Sequence, residues 1–368
     1  MDYSIRWQLI EEIGKGGQGA VHKSISTKEI QEQNTLAKQI VQKLPQNYRD
    51  YEKGKEFVNL LTDFVDKKNK TNFKAIKILQ TIDPRNKDKQ KERIKNEINV
   101  LNKIKHKNII KIIDSDDEYG WFVSEYYSNG TLDLKLSNFS GRFIDSLKTI
   151  RPIVEAVASL HEKGVVHRDI KPKNVFIDNE NNLILGDFGL VFFIDGVDER
   201  LSGTYENVGT HAWMPPWAME IRNDEVRPTF DVFSLGKIIY SMVSKKPVLP
   251  LWYFNRTDYN VELMYPNAKY IRLANELFRK CIVEKEGDCL KNASDLVNEI
   301  NHIISICDDD RDWNNQNVLK HCLCCTEGVY LKTEKAYMGQ HGIKVYDLAT
   351  YKCNTCGNIQ LFSEKATQ

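Results

Sequence analysis

His167-Arg168-Asp169-Ile170-Lys171-Pro172-Lys173-Asn174, followed a short strand-turn later by Asp187-Phe188-Gly189, gathers a carboxylate, an ammonium, an amide and a second carboxylate. Phosphoryl transfer needs that set. A base must meet the acceptor hydroxyl, a lysine must meet the moving phosphoryl group, and hard oxygen ligands must hold a divalent cation. Two carboxylates alone would suit many hydrolases. The lysine and asparagine at these offsets single out phosphotransfer. The bland alternative is a charged turn followed by an acidic turn.

Other elements must position these groups. Gly14-Lys15-Gly16-Gly17-Gln18-Gly19-Ala20-Val21 follows Trp7-Gln8-Leu9-Ile10 and precedes Ala20-Val21-His22-Lys23. That order predicts strand, loop, strand rather than the strand, loop, helix of a dinucleotide fold. Glycines let backbone approach phosphate oxygens without a Cβ clash. Phe73-Lys74-Ala75-Ile76-Lys77-Ile78-Leu79 reads as a strand. Ala75 and Lys77 share one face, and Lys74 is expected as an exposed charge on the other. Apolar residues at 94, 98, 101 and 104 predict a helix that carries Glu97. Trp121 to Tyr127 is β-rich and is broken by Ser128-Asn129-Gly130. Residues Ile150 to His161 predict an amphipathic helix closed by Gly164, and Phe230 to Tyr240 a very apolar helix with Asp231 near its start.

Taken in order, these motifs resemble those of eukaryotic-type Ser/Thr protein kinases over about residues 7–303. The resemblance implies an α+β, bilobal fold with a β-rich small lobe and a helical large lobe. It implies Asp169 as base or hydroxyl-orienting group and Lys171 as the charge-neutralising lysine. Lys77 would contact the α- and β-phosphates and pair with Glu97, whose bland alternative is a solvated helix glutamate. Ile13, Gly14, Lys15, Gly16, Gly17, Gln18, Gly19, Val21, Ala75, Ser124, Glu125, Tyr127 and Phe176 would surround ATP, with Ser124 at the gatekeeper position and Phe176 as the adenine floor. Asn174 and Asp187 would hold Mg²⁺, with Mn²⁺ as a substitute. Asp231 would bond backbone of the catalytic loop, since a buried carboxylate needs donors.

The same resemblance assigns Thr210 to the segment that meets the substrate, bridging Asp169 and Lys171. Ser202 and Thr204 become candidate autophosphorylation sites, with Arg168 implying an anion pocket. One departure stands out. Where the family places A-P-E, this chain has Pro215-Pro216-Trp217, and Leu290-Lys291-Asn292-Ala293 replaces R-P-[ST]-A. Losing one member of a buried ion pair costs roughly 3–5 kcal/mol, and losing both avoids that. Glu220 is the alternative acid in a shifted register. The runner-up reading is a nucleotide-binding pseudokinase acting as an interaction or nucleic-acid-sensing module.

The chain has 368 residues, is 41% hydrophobic, and balances 52 Lys+Arg against 51 Asp+Glu for a net charge of +1. That length and composition support about two domains. The charge balance gives no global basicity that would make nucleic acid or membrane the main partner. No apolar run reaches ~18 residues and the N-terminus lacks a signal-peptide core, so a cytoplasmic protein without a membrane span is expected. The kinase domain is expected over 1–305, divided into a small lobe with hinge over 1–127 and a large lobe over 128–305. A polar insertion at about 29–72 carries a helical stripe at Phe57 to Val65. It is either a helix packed on the small lobe or a docking surface for a partner protein.

Residues 306–319 are acidic and polar and read as a linker. Over 320–362, Cys322-x-x-Cys325 and Cys353-x-x-Cys356 have the spacing of a closed tetrathiolate site, with Cys324 or His321 as substitutes. Strands are expected at Val329 to Leu331 and Lys344 to Leu348. This tail resembles a zinc ribbon with structural Zn²⁺. Its functions could include binding a partner protein or, more weakly through Lys332, Lys335, Lys344 and Lys352, nucleic acid.

Overall fold

Trp7, Ile76, Trp121 and Val123 form a buried cluster that holds one face of a five-stranded sheet together. The computed structural model describes residues 2–16, 19–44, 51–69, 71–79, 87–194, 212–219, 226–312, 330–338, 346–353 and 359–363. The sheet contains β1 (Trp7–Gly16), β2 (Gly19–Ser26), β3 (Lys74–Ile78), β4 (Ile112–Asp116) and β5 (Trp121–Glu125), in the order β1-β2-β3-β5-β4 and antiparallel throughout. Val21 pairs with Lys77, so the glycine hairpin lies beside the lysine strand although a long segment separates them in sequence. Gly19 has φ +152°, and a Cβ there would collide with the Ile78 carbonyl. Close packing against β3, as well as any phosphate contact, therefore requires glycine at that position.

The segment between β2 and β3 is a pair of helices, α1 (Thr27–Gln42) and α2 (Tyr51–Asn69). The apolar stripe announces α2. The polar first half, rich in Gln and Lys, conceals α1, which buries Ile40. Lys43 and Glu56 pair at 2.7 Å across the hairpin.

Helix α3 (Lys87–Lys103) carries Glu97 and packs Ile94 and Ile98 against Phe122 of β5. The helical lobe is built on α4 (Phe143–His161), α5 (Thr229–Ser244), α6 (Val261–Met264), α7 (Ile271–Cys281) and α8 (Ala293–Asp312). Helix α4 starts seven residues before the expected Ile150, because the buried series Phe143, Leu147, Ile150 runs on through Pro152. Every residue of α5 is buried. A fully buried aliphatic or aromatic side chain contributes about 1.5–3 kcal/mol. Phe230, Val232, Phe233, Leu235, Ile238 and Ile239 together outweigh the cost of the one acid and one lysine that the helix interior holds. Helix α8 continues to Asp312, so residues 306–312 of the expected linker are helical; Cys307 is fully buried, which fixes that part of the helix to the lobe.

Short strands β6 (Val165–Val166), β7 (Val175–Ile177), β8 (Leu183–Leu185) and β9 (Phe192–Phe193) frame the loops that carry the motif acids. β6 pairs with β9 and β7 with β8. Near the C-terminus β10 (Tyr330–Met338), β11 (Tyr346–Cys353) and β12 (Ile359–Ser363) form a three-stranded antiparallel sheet, with longer strands than the sequence suggests.

Candidate active site

Strand pairing fixes Lys77 and helix α3 fixes Glu97, and the two side chains meet at 2.7 Å. Lys77 also lies 3.1 Å from Asp187. Burial alone would lower the Lys77 pKa, but the Asp187 and Glu97 carboxylates outweigh it and hold the ammonium above its ordinary range. Burial holds the Glu97 carboxyl above its usual value, offset in part by Lys77 and by the Phe188 N–H, which donates to Glu97 Oε1 at 3.1 Å. Helix α3 is thus tied to both the lysine strand and the Asp187 loop.

A second cluster lies on the loop after β6. Lys171 Nζ contacts both Asp169 oxygens, at 3.0 and 2.8 Å. Asn174 Nδ2 donates to the Asp169 carbonyl at 2.8 Å and to its Oδ2 at 2.9 Å. The amide nitrogen is therefore committed to the loop, and its oxygen is the atom left for a cation.

Asp231 supports this loop from below. It is fully buried at the start of α5 and accepts from the backbone N–H of His167 at 2.8 Å and of Arg168 at 2.9 Å. His161 accepts from Ala293 N at Nδ1, so Nε2 carries its proton and donates to Asp231 at 2.9 Å. Burial would raise the Asp231 pKa, but the His161 contact and the His167 N–H win and hold it low. His167 joins the two motif loops: Nδ1 accepts from Asp169 N, Nε2 donates to Gly186 O at 3.2 Å, and its ring meets Phe188 edge-on at 4.6 Å. Gly186 N donates to Asn174 O at 2.9 Å. Arg168 and Asp187 adopt φ of +68° and +58°, conformations costly for residues other than glycine. The surrounding hydrogen bonds hold that strain in place.

On the nucleotide side, Ala75 pairs with Ser124 across β3 and β5, and Ser124 is buried. Tyr127 stacks on Phe176 with ring centroids 5.4 Å apart. A Cβ at Gly186 would lie 2.6 Å from the Phe176 ring, so the residue before Asp187 must be small for that ring to stay in place. Lys74 corrects the expectation of an exposed charge. It is 8% exposed and bonds Glu125 at 2.6 Å. Ile13, Gly14, Lys15 and Gly16 lie on β1, while Gly17 and Gln18 fall outside the described residues. So do Ser202, Thr204, Thr210, Glu220, Cys322, Cys324, Cys325 and Cys356.

A family model for the protein kinase domain matches residues 63–310. The chain belongs to this family. The match starts inside α2, yet the kinase sheet also uses β1 and β2 from before the helical insertion. A probable serine/threonine-protein kinase nek2 of Dictyostelium discoideum is 33% identical over 44% of this chain and 40% of that protein. The serine/threonine-protein kinase STE20 of Candida glabrata is 34% identical over 44% of this chain, but only 17% of its own length. A calcium/calmodulin-dependent protein kinase type 1 of Caenorhabditis briggsae is 26% identical over 68% of this chain and 66% of that protein. The chain thus spans less than half of the first two relatives.

The kinase domain's departure from A-P-E is filled by packing. Trp217 is buried and meets Phe233 of α5 edge-on at 5.6 Å. Ser234 donates to Trp213 O at 2.9 Å, and Lys237 Nζ donates to Ala212 O. At the start of α8, Asn292 Oδ1 accepts from the Asp295 N–H at 3.0 Å and Asp295 Oδ2 accepts from the Lys291 N–H at 3.2 Å. Lys237 was not singled out by sequence, although one lysine inside an otherwise apolar helical run is a visible signal. Burial lowers its pKa to about 7. Its charge is therefore destabilising below the folded value, and the penalty fades as pH rises from about 7 toward 10.5. Lys237→Met is expected to stabilise the kinase domain by about 1–3 kcal/mol at neutral pH. Urea unfolding at pH 6.5 and near pH 10 checks this, with the gain shrinking at the higher pH. An equal gain at both pH values would refute the account.

Proposed function

We propose that the chain is an active Ser/Thr protein kinase that moves the γ-phosphoryl group of ATP to a protein hydroxyl. One observation carries this reading: the Lys77–Glu97–Asp187 contacts and the Asp169–Lys171–Asn174 cluster are joined through His167 and Gly186. Asp169 accepts the hydroxyl proton as the new O–P bond forms and the bridging oxygen leaves with ADP. Lys171 Nζ balances charge on the transferring group. Lys77 holds the nucleotide's remaining phosphates, and Glu97 holds Lys77. The Asn174 amide oxygen and the Asp187 carboxylate, the latter 38% exposed, fit a hard divalent cation, so Mg²⁺ or Mn²⁺ is the metal they would hold. When bound, it neutralises phosphate charge. The pseudokinase reading has no observation in its favour.

Incubation with labelled ATP and a basic protein is the test. Phosphoserine and phosphothreonine should appear, and Ser202 or Thr204 should gain phosphate in the kinase itself. Absence of transfer with either metal would reject the proposal.

The tail is proposed as a zinc ribbon. Support comes from the antiparallel β10–β11–β12 sheet and from Cys353 at the end of β11, with Cys356 following before β12. Among the described residues no group of three or more His, Cys, Asp or Glu side chains is poised to hold a metal, and of the four proposed ligands only Cys353 is described. Four thiolates suit Zn²⁺, and a sheet this small gains its stability from such a site. Metal analysis should find about one zinc per chain, released by thiol-specific oxidation and lost in Cys353→Ser. Zinc-free protein purified with reductant would reject the ribbon. Among the described residues no helix is long and apolar enough to cross a membrane, and a cytoplasmic location is proposed from the reduced-cysteine usage.

A further inference from the structure

Helix α2 packs on α1 through one face only. Between Tyr51 and Asp66, just Gly54, Phe57, Leu60 and Phe64 are half-buried. A neighbouring face carries Val58, Leu61 and Val65, exposed by 57%, 41% and 46%. At about 100° per residue these three fall within ~60° of the helix circumference. They form an exposed apolar stripe.

Charge along one flank of that stripe is self-complementary. Lys55 and Asp66 are both exposed and project within ~20° of each other, separated by about 16 Å along the axis. They lie at equal distances on either side of the point between Leu60 and Leu61, close to the centre of the stripe. When two helices pack antiparallel about a two-fold axis, the same flank of each meets the other. Lys55 of one copy then faces Asp66 of the other, twice, with Val58, Leu61 and Val65 between the pairs. In parallel packing opposite flanks meet, so Lys55 and Asp66 would not face each other.

We propose that α2 is a homodimerisation surface whose occupant is the α2 helix of a second copy of this chain, antiparallel to the first. Three apolar side chains and two ion pairs per interface make a small contact, below the ~1,200 Å² of stable complexes, so the association is of the weak, reversible kind.

Sedimentation equilibrium of the full chain from about 1 to 300 µM reads the association, a span suited to a weak complex. Wild type should pass from monomer to dimer. Leu61→Asp should weaken association by ~100-fold or more, because it buries a carboxylate at the centre. Lys55→Asp and Asp66→Lys, each alone, should weaken it by about 5–10-fold by setting like charges opposite each other. Mixing these two variants should restore dimers, and so should combining both changes in one chain. All of these positions are exposed, and unchanged thermal melts confirm folding. A monomer at every concentration overturns the proposal. So does a dimer indifferent to the charge variants, or charge variants that do not recover on mixing; those outcomes assign the stripe to another protein's helix or the association to another surface.

Discussion

Asp169→Asn is expected to lower the rate of phosphotransfer by about 10³-fold while changing ATP affinity by no more than about threefold. The reasoning is local. Asp169 touches Lys171 and Asn174, and neither contact involves β3, where Lys77, the lysine proposed to hold the nucleotide, lies. Asparagine keeps the shape and still accepts from Asn174, so the loop stays in place. The lost property is the negative charge that takes the hydroxyl proton and steadies Lys171. Single-turnover measurements with saturating nucleotide separate chemistry from binding. Retention of more than a tenth of wild-type chemistry would mean that Asp169 is not the proton acceptor.

The second large effect falls on Lys77. Lys77→Met leaves Glu97, whose side chain is 2% exposed, facing Asp187 without its cation. Breaking a buried pair from one side costs about 3–5 kcal/mol. The variant should therefore lose that much stability at pH 7 and at least ~100-fold in kcat/KM. Burial already holds the Glu97 carboxyl above its usual value, and removing Lys77 raises it further. Relative to wild type, the loss should shrink as acid protonates Glu97. Adding Glu97→Gln removes the orphaned charge. The double variant should regain most of the stability and none of the activity. Denaturant unfolding and kinetics on the four proteins of the cycle check both halves. If the double variant is as unstable as Lys77→Met, the buried charge is not the cause.

The two motif loops were readable because their chemistry is written in consecutive residues. Asp169, Lys171 and Asn174 share one loop, so spacing alone restricts what they can touch. Asp231 was readable for a related reason: a lone acid in a mostly apolar helix must find donors, and it finds the N–H groups of His167 and Arg168. Lys74 was misjudged by the same kind of reasoning. Alternation along a strand says that Lys74 and Lys77 face opposite ways, but not that both faces are covered. Helix α1 was hidden because its polar sequence carries little periodic signal; its place depends on contact with β2 and α2. The Trp217–Phe233 contact joins residues from separate segments, and no local pattern specifies it.

By itself, the order of residues determined which groups are available for phosphotransfer, where helices and strands carry them, and that a glycine hairpin precedes the lysine strand. These properties follow from near-neighbour forces: turn chemistry, side-chain periodicity and the demand of buried carboxylates for donors. Only the tertiary structure decided that β2 lies against β3 across the helical insertion, that Lys74 is buried on Glu125, and that Trp217 packs edge-on against Phe233. Those outcomes depend on which distant surfaces exclude water together, and that choice is made by the packed chain as a whole.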